Sequence, residues 1–143
     1  MTQTNDGRSA LATYARDRLR GEGIYRDYRP RTALLEQVGD LLPSAHAIVV
    51  SGPWCGDCRR EVPKFARIVE QLPAGWTVEL RGDDADTREL LAVRAIPTFL
   101  IQDQPGGREL GRIIEAPSSG EGLEGDLLAI AESTVVTDDG QAA

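Results

Sequence analysis

The chain has two cysteines, Cys55 and Cys58, three positions apart at the end of an apolar run. The stretch reads Ile48-Val49-Val50-Ser51-Gly52-Pro53-Trp54-Cys55-Gly56-Asp57-Cys58-Arg59-Arg60. A buried strand passes through a turn into a helix, and both thiols arrive at the helix start. That arrangement suits thiol–disulfide exchange, because the reactive species is the thiolate and a free thiol near neutral pH is mostly protonated. Backbone N–H groups and the helix dipole favour negative charge on the first cysteine. Cys58 stands about one turn inside, so the pair can close a disulfide with little backbone movement. Cys55, the more exposed, is the candidate nucleophile, and Cys58 the candidate resolving thiol. Between them, Asp57 favours the helix start and opposes charge on Cys55. Arg59 is placed to offset that opposition.

Two other readings use the same residues. A Cys-x-x-Cys pair can be half of a zinc site, but a closed site takes about four ligands. The chain offers only His46 besides the cysteines, so no metal site is expected without a carboxylate or a second chain. A purely structural disulfide is the other reading; a bridge this short closes a tiny loop and stabilises little.

At these residues the chain resembles the thioredoxin family. The match is Trp54-Cys55-Gly56-x-Cys58, then Pro63 five residues on, then Ile96-Pro97-Thr98. It spans about Ala45 to Ala131. The resemblance, with the order of elements read along the chain, gives the expected α/β fold: a central mixed sheet of four or five strands, helices on both faces and an added N-terminal helical extension. It further implies a cis Pro97 facing the cysteine pair, with Trp54, Gly56, Asp57, Ile96 and Pro97 forming the substrate-binding surface. The expected function is dithiol–disulfide exchange with protein substrates, in the reducing direction. The redox-active Cys55–Cys58 disulfide would serve in place of a cofactor, and electrons would come from a separate reductase or thiol donor. A non-catalytic thioredoxin-like binding or redox-sensing module is the alternative.

The chain departs from the family pattern in three places. Typical members carry a buried aspartate in the strand under the second cysteine; Val49 occupies that position. Glu79, on the next strand, is the candidate to take over proton transfer. The dipeptide between the cysteines is Gly-Asp rather than Gly-Pro. The glycine often found after the last strand is missing, with Glu115 nearby.

The 143 residues suffice for one domain with a real core. A net charge of −7 argues against non-specific nucleic-acid binding. No apolar run approaches the roughly 18 residues of a membrane helix, and no apolar leader is visible, so the expected location is the cytoplasm. There a Cys-x-x-Cys pair is more often catalytic than structural. A monomer is expected. Charge is uneven: Arg8 to Arg31 holds seven arginines against three acids, whereas Glu115 to Ala143 holds seven acids and no base. These segments either pair with each other or form separately solvated faces.

Along the chain, residues 1–44 read as the helical extension, 45–133 as the thioredoxin-like domain and 134–143 as a polar tail. Met1 to Gly7 reads as frayed. Ser9 caps a helix to about Arg20, with Leu11, Ala12, Ala15 and Leu19 on one face. Tyr25 to Pro30 reads as an irregular connector, with residues 24–28 as the only candidate for the family's usual first strand. A second helix fits Arg31 to Leu42, and a buried strand His46 to Ser51. The helix after the motif carries the apolar stripe Val62, Phe65, Ile68, Val69 and Leu72, with a break or bend expected at Pro63. A strand at Trp76–Leu80 and a short helix at Ala85–Val93, with Leu90, Leu91 and Val93 inward, come next. Strands at Ile96–Ile101 and Glu109–Ile114 form a hairpin around Gln104–Arg108. A Gly/Ser-rich loop, Pro117 to Glu124, precedes a last helix at Gly125–Ser133.

Overall fold

The run at positions 45–50, apolar except for His46, forms β1 (Ser44–Ser51), whose residues are all buried except Ser44. A strand buried throughout belongs at the centre of a sheet, and β1 is flanked on both sides. It pairs in parallel with β2 (Gly75–Gly82) and antiparallel with β3 (Thr98–Gln102). The strand β4 (Glu109–Ile114) returns antiparallel beside β3. The sheet order is therefore β2-β1-β3-β4, a four-stranded mixed sheet with helices packed against it. These elements come from a computed structural model that describes residues 3–142, with side chains from Gly7 to Val135.

The helices are α1 (Gln3–Thr13), α2 (Glu22–Asp27), α3 (Thr32–Leu41), α4 (Gly56–Val69), α5 (Ala85–Leu91) and α6 (Gly122–Ala142). The expected stripe of α4 is buried at Val62, Phe65, Ile68 and Val69, and Leu72 is buried just beyond it. Phe65 meets Phe99 of β3 with ring centroids 4.7 Å apart, joining helix to sheet. Pro63 lies inside α4 without ending it. Its ring abuts Gly21, where any Cβ would stand 2.4 Å from the proline Cγ.

The N-terminal segment departs most from expectation. Ser9 lies within α1 rather than capping it, and the helix starts at Gln3, inside the stretch read as frayed; Met1 and Thr2 lie outside the described residues. Past Thr13 the chain continues as a π-helical turn, Tyr14–Arg18. Leu11, Ala15 and Leu19 are buried as the periodicity requires. Residues 24–28 supply no strand: α2 occupies 22–27. So short a helix is not stable alone; Tyr25 donates to Glu70 and lies between Arg16 and Arg67, at 5.4 and 5.2 Å from its ring.

With no strand beyond it among the described residues, β2 is an edge, and α1 covers it. A Cβ at Gly7 would lie 2.3 Å from the Val78 carbonyl oxygen. Next to it the Arg8 guanidinium donates to the carbonyls of Val69, Leu72, Pro73 and Trp76 at 2.5–3.1 Å. One side chain thus satisfies the orphan carbonyls at the end of α4 and ties them to the start of β2.

Elsewhere the differences are local. Leu90 is 70% exposed, not inward, because α5 is short and ends at Ala92 in a left-handed conformation (φ 55°), leaving Thr87 and Val93 as its buried positions. The last helix begins at Gly122, inside the stretch read as loop, and runs past Ser133. Its early start is fixed by Glu124, whose fully buried carboxylate accepts from the Tyr28 hydroxyl at 2.8 Å and the Arg31 N–H at 3.0 Å, with the Arg31 guanidinium at 3.7 Å. At that point the arginine-rich and acid-rich segments do pair.

Arg8→Ala is expected to destabilise the protein by about 2–3 kcal/mol, the scale of lost charge-assisted bonds to buried carbonyls. Urea denaturation measures it, and an unchanged midpoint would refute the clamp.

Candidate active site

The turn Gly52-Pro53-Trp54 carries the chain from β1 into α4, and Cys55 is the helix N-cap. Its backbone is extended (φ −93°, ψ 123°), and its sulfur accepts the Cys58 N–H at 3.3 Å. An N-cap atom takes up one of the helix's orphan donors; here that atom is the candidate nucleophile. The Cys55 sulfur therefore lies where the backbone N–H groups of the helix start converge. Both cysteines are free thiols, Cys55 half-buried and Cys58 fully buried.

Across from the pair, the Ile96–Pro97 peptide is cis. The Ile96 carbonyl oxygen lies 3.5 Å from the Cys55 sulfur, so the loop ahead of β3 and the start of α4 meet there. Trp54 stands beside them, 67% exposed. It packs flat on Gly52, where a Cβ would come within 2.5 Å of the indole ring. Gly56 is exposed and has open space around it. The structure thus gathers Trp54, Cys55, Gly56, Asp57, Ile96 and Pro97 at one end of the sheet.

Arg59 does not offset Asp57. Its Nε donates to the Pro53 carbonyl at 2.9 Å, pinning the turn. Arg60, one helical turn from Asp57, makes that ion pair instead and also reaches Glu61 at 3.0 Å.

Burial pushes the Cys58 thiol up to about 11, because a thiolate there would lose its water. The Ser51 side chain and the Gly52 backbone pull the other way, and the neighbouring Cys55 adds to the rise. The strand position beneath Cys58 holds Val49, fully buried and apolar, rather than a carboxylate.

Glu79 is not brought to the cysteines. Strand alternation puts it on the face shared with Thr77 and Arg81, opposite to Val78 and Leu80. There it accepts from His46 at 2.9 Å and Arg81 at 2.5 Å. Burial alone would raise its carboxyl, but these bonds outweigh it and leave the group below its ordinary value. His46 is buried and also bonds Thr77 at 2.6 Å, a structural contact at the end of β1 away from the thiols.

Two residues missed at the sequence level bear on the thiol pair: Ser51 counters the effect of burial on Cys58, and Tyr14 feels the charge of both cysteines. Ser51, the last residue of β1, is buried, and the Tyr14 hydroxyl is 2.8 Å from its Oγ. Ser51 carries a faint signal, being the polar end of an apolar run two residues beyond Val49. Tyr14, which is 37 positions away in sequence, carries none.

A mixed sheet with a thiol pair at a helix N-terminus facing a cis-proline defines a thioredoxin-like α/β protein. A thioredoxin family model matches residues 5–128, and the chain belongs to that family. Among solved structures it is similar to a protein of unknown function from Pseudomonas aeruginosa, with 22% identity, TM-score 0.58, 89% of this chain and 85% of that one covered. It is also similar to an HIV epitope-scaffold, with 23% identity, TM-score 0.57, 87% and 84% covered. Both likenesses are of fold. No curated protein matches. Among the described residues no helix is long and apolar enough to cross a membrane. No cluster of three or more His, Cys, Asp or Glu is placed among them to hold a metal ion.

Since burial holds the proton on Cys58, its thiolate should appear only as pH rises toward about 11. Titration of thiolate absorbance in the reduced protein checks this. Cys58→Ser should remove that late step; if it instead removes a step near the ordinary thiol value of about 8.5, the claim is contradicted.

Proposed function

We propose that the protein is a thiol–disulfide oxidoreductase acting on disulfides of other proteins, with a reducing bias. The observation that carries this reading is the Cys55 sulfur at the cap of α4, accepting the Cys58 N–H and lying 3.5 Å from the Ile96 carbonyl. An extended substrate segment laid along Ile96 would bring its disulfide to that sulfur, with Trp54 and Gly56 as an open shoulder.

The cycle has two displacements. The Cys55 thiolate attacks one sulfur of the substrate disulfide. The substrate S–S bond breaks, its second sulfur leaves as a thiolate and takes a proton, and a mixed disulfide remains. The Cys58 thiolate then attacks the Cys55 sulfur. The mixed disulfide breaks, the substrate's first sulfur leaves reduced, and two electrons have passed from the protein pair to the substrate. A separate reductase or thiol donor returns the pair to the dithiol. Burial of Cys58 supports the reducing direction, since a pair becomes an oxidant when its reduced form is stabilised, and burial denies Cys58 a stabilised thiolate. A cytoplasmic monomer fits this role.

Insulin reduction with dithiothreitol tests the reading. The protein should accelerate it, Cys55→Ser should abolish the acceleration, and Cys58→Ser should accumulate the mixed disulfide. A reduction potential near about −270 mV is expected, against about −120 mV for an oxidant. Absence of activity, with no difference on Cys55→Ser, would favour the non-catalytic binding module.

A further inference from the structure

The second displacement requires Cys58 to lose its proton, and Cys58 is fully buried with an apolar Val49 beneath it. Glu79 is engaged with His46 and Arg81. The side chain that most opposes the burial of the Cys58 thiol is a hydroxyl, that of Ser51. Ser51 ends β1 on the face of Val49, acts on the Cys58 thiol, and is itself buried. Its Oγ is 2.8 Å from the Tyr14 hydroxyl. Tyr14 feels the charge of both cysteines, so it lies within electrostatic reach of the pair.

Tyr14 and Ser51 also line a cleft of about 380 Å³, together with Arg18, Trp54, Arg81 and Asp83. The cleft is open to solvent, so the hydroxyl pair connects a sealed thiol to water. The backbone makes room for this: Tyr14 begins the π-helical turn, with the Leu19 N–H bonded to its carbonyl at 3.0 Å. Such turns are frequent at functional sites.

We propose that Ser51 and Tyr14 form a hydroxyl relay that carries the Cys58 proton to the cleft during the second displacement. This rests on the disulfide-exchange reading above. As the proton leaves the Cys58 sulfur for Ser51 Oγ, the Ser51 proton passes to Tyr14 Oη and the Tyr14 proton passes to solvent. Both hydroxyls end neutral. The electron pair left on Cys58 forms the bond to the Cys55 sulfur as the bond from Cys55 to the substrate sulfur breaks. In this relay Ser51 takes the thiol proton, and Tyr14 is a positioning residue that acts through it.

Single-turnover reaction of the reduced protein with dithiobis(nitrobenzoate) separates the two displacements, because each releases one thionitrobenzoate. Wild type should show two phases. Ser51→Ala should slow the second at least about tenfold, the scale of a lost hydrogen bond to a charged group, with the first phase unchanged. Tyr14→Phe should slow the second phase several-fold, and Ser51→Thr, which keeps the hydroxyl, should restore it. An unchanged second phase in Ser51→Ala and Tyr14→Phe overturns the relay while leaving disulfide exchange intact. So does an equal slowing of both phases, which marks a structural role. Release of only one equivalent by wild type overturns the exchange reading, and the relay with it.

Discussion

A sulfur buried without a carboxylate beside it is the constraint around which this site is built. Desolvation makes the Cys58 thiolate costly, yet exchange chemistry needs that thiolate for a moment. Two solutions are open to a protein: place a base inside the core, or provide a way out for the proton. At Val49 the chain keeps its core apolar, which suits the continuous packing of β1 between two strands. Polar capacity appears instead at the strand's last residue, where Ser51 faces both the thiol and the N-terminal segment.

That segment is therefore part of the site as well as of the fold. Its helix shields the edge of β2, its arginine ties off α4, and its π-helical turn presents Tyr14 to the motif. The three contacts lie within a few residues of one another. Shifting the register of α1 to suit one would disturb the others, which couples the protection of a sheet edge to the surroundings of a thiol.

Much of this was legible in the sequence because it is encoded locally. The run at β1, the stripe of α4, the hairpin at Gln104–Arg108 and the thiols at a helix start each declare themselves within a dozen residues. The cis-proline was legible through family resemblance. What escaped was non-local. The helix α2 has no periodicity of its own and exists because Tyr25 and Tyr28 anchor it to Glu70 and Glu124. Leu90 looked inward by spacing but lies on the outer side of a helix too short to enforce a stripe. Arg59 was singled out for its distance from Cys55, but helical spacing favours Arg60, three positions from Asp57, and Arg59 turns to the Pro53 carbonyl. Glu79 failed on strand parity, and the Tyr14–Ser51 pair joins residues with no common local pattern.

Glu124 has a consequence for the molecule as a whole. It gathers a phenol, a backbone amide and a guanidinium from the connector ahead of α3 into the first turn of α6. The beginning and the end of the chain are thus stitched through one buried oxyanion. On the ribosome, the anchoring of residues 28–31 therefore waits until the chain has been synthesised past Glu124.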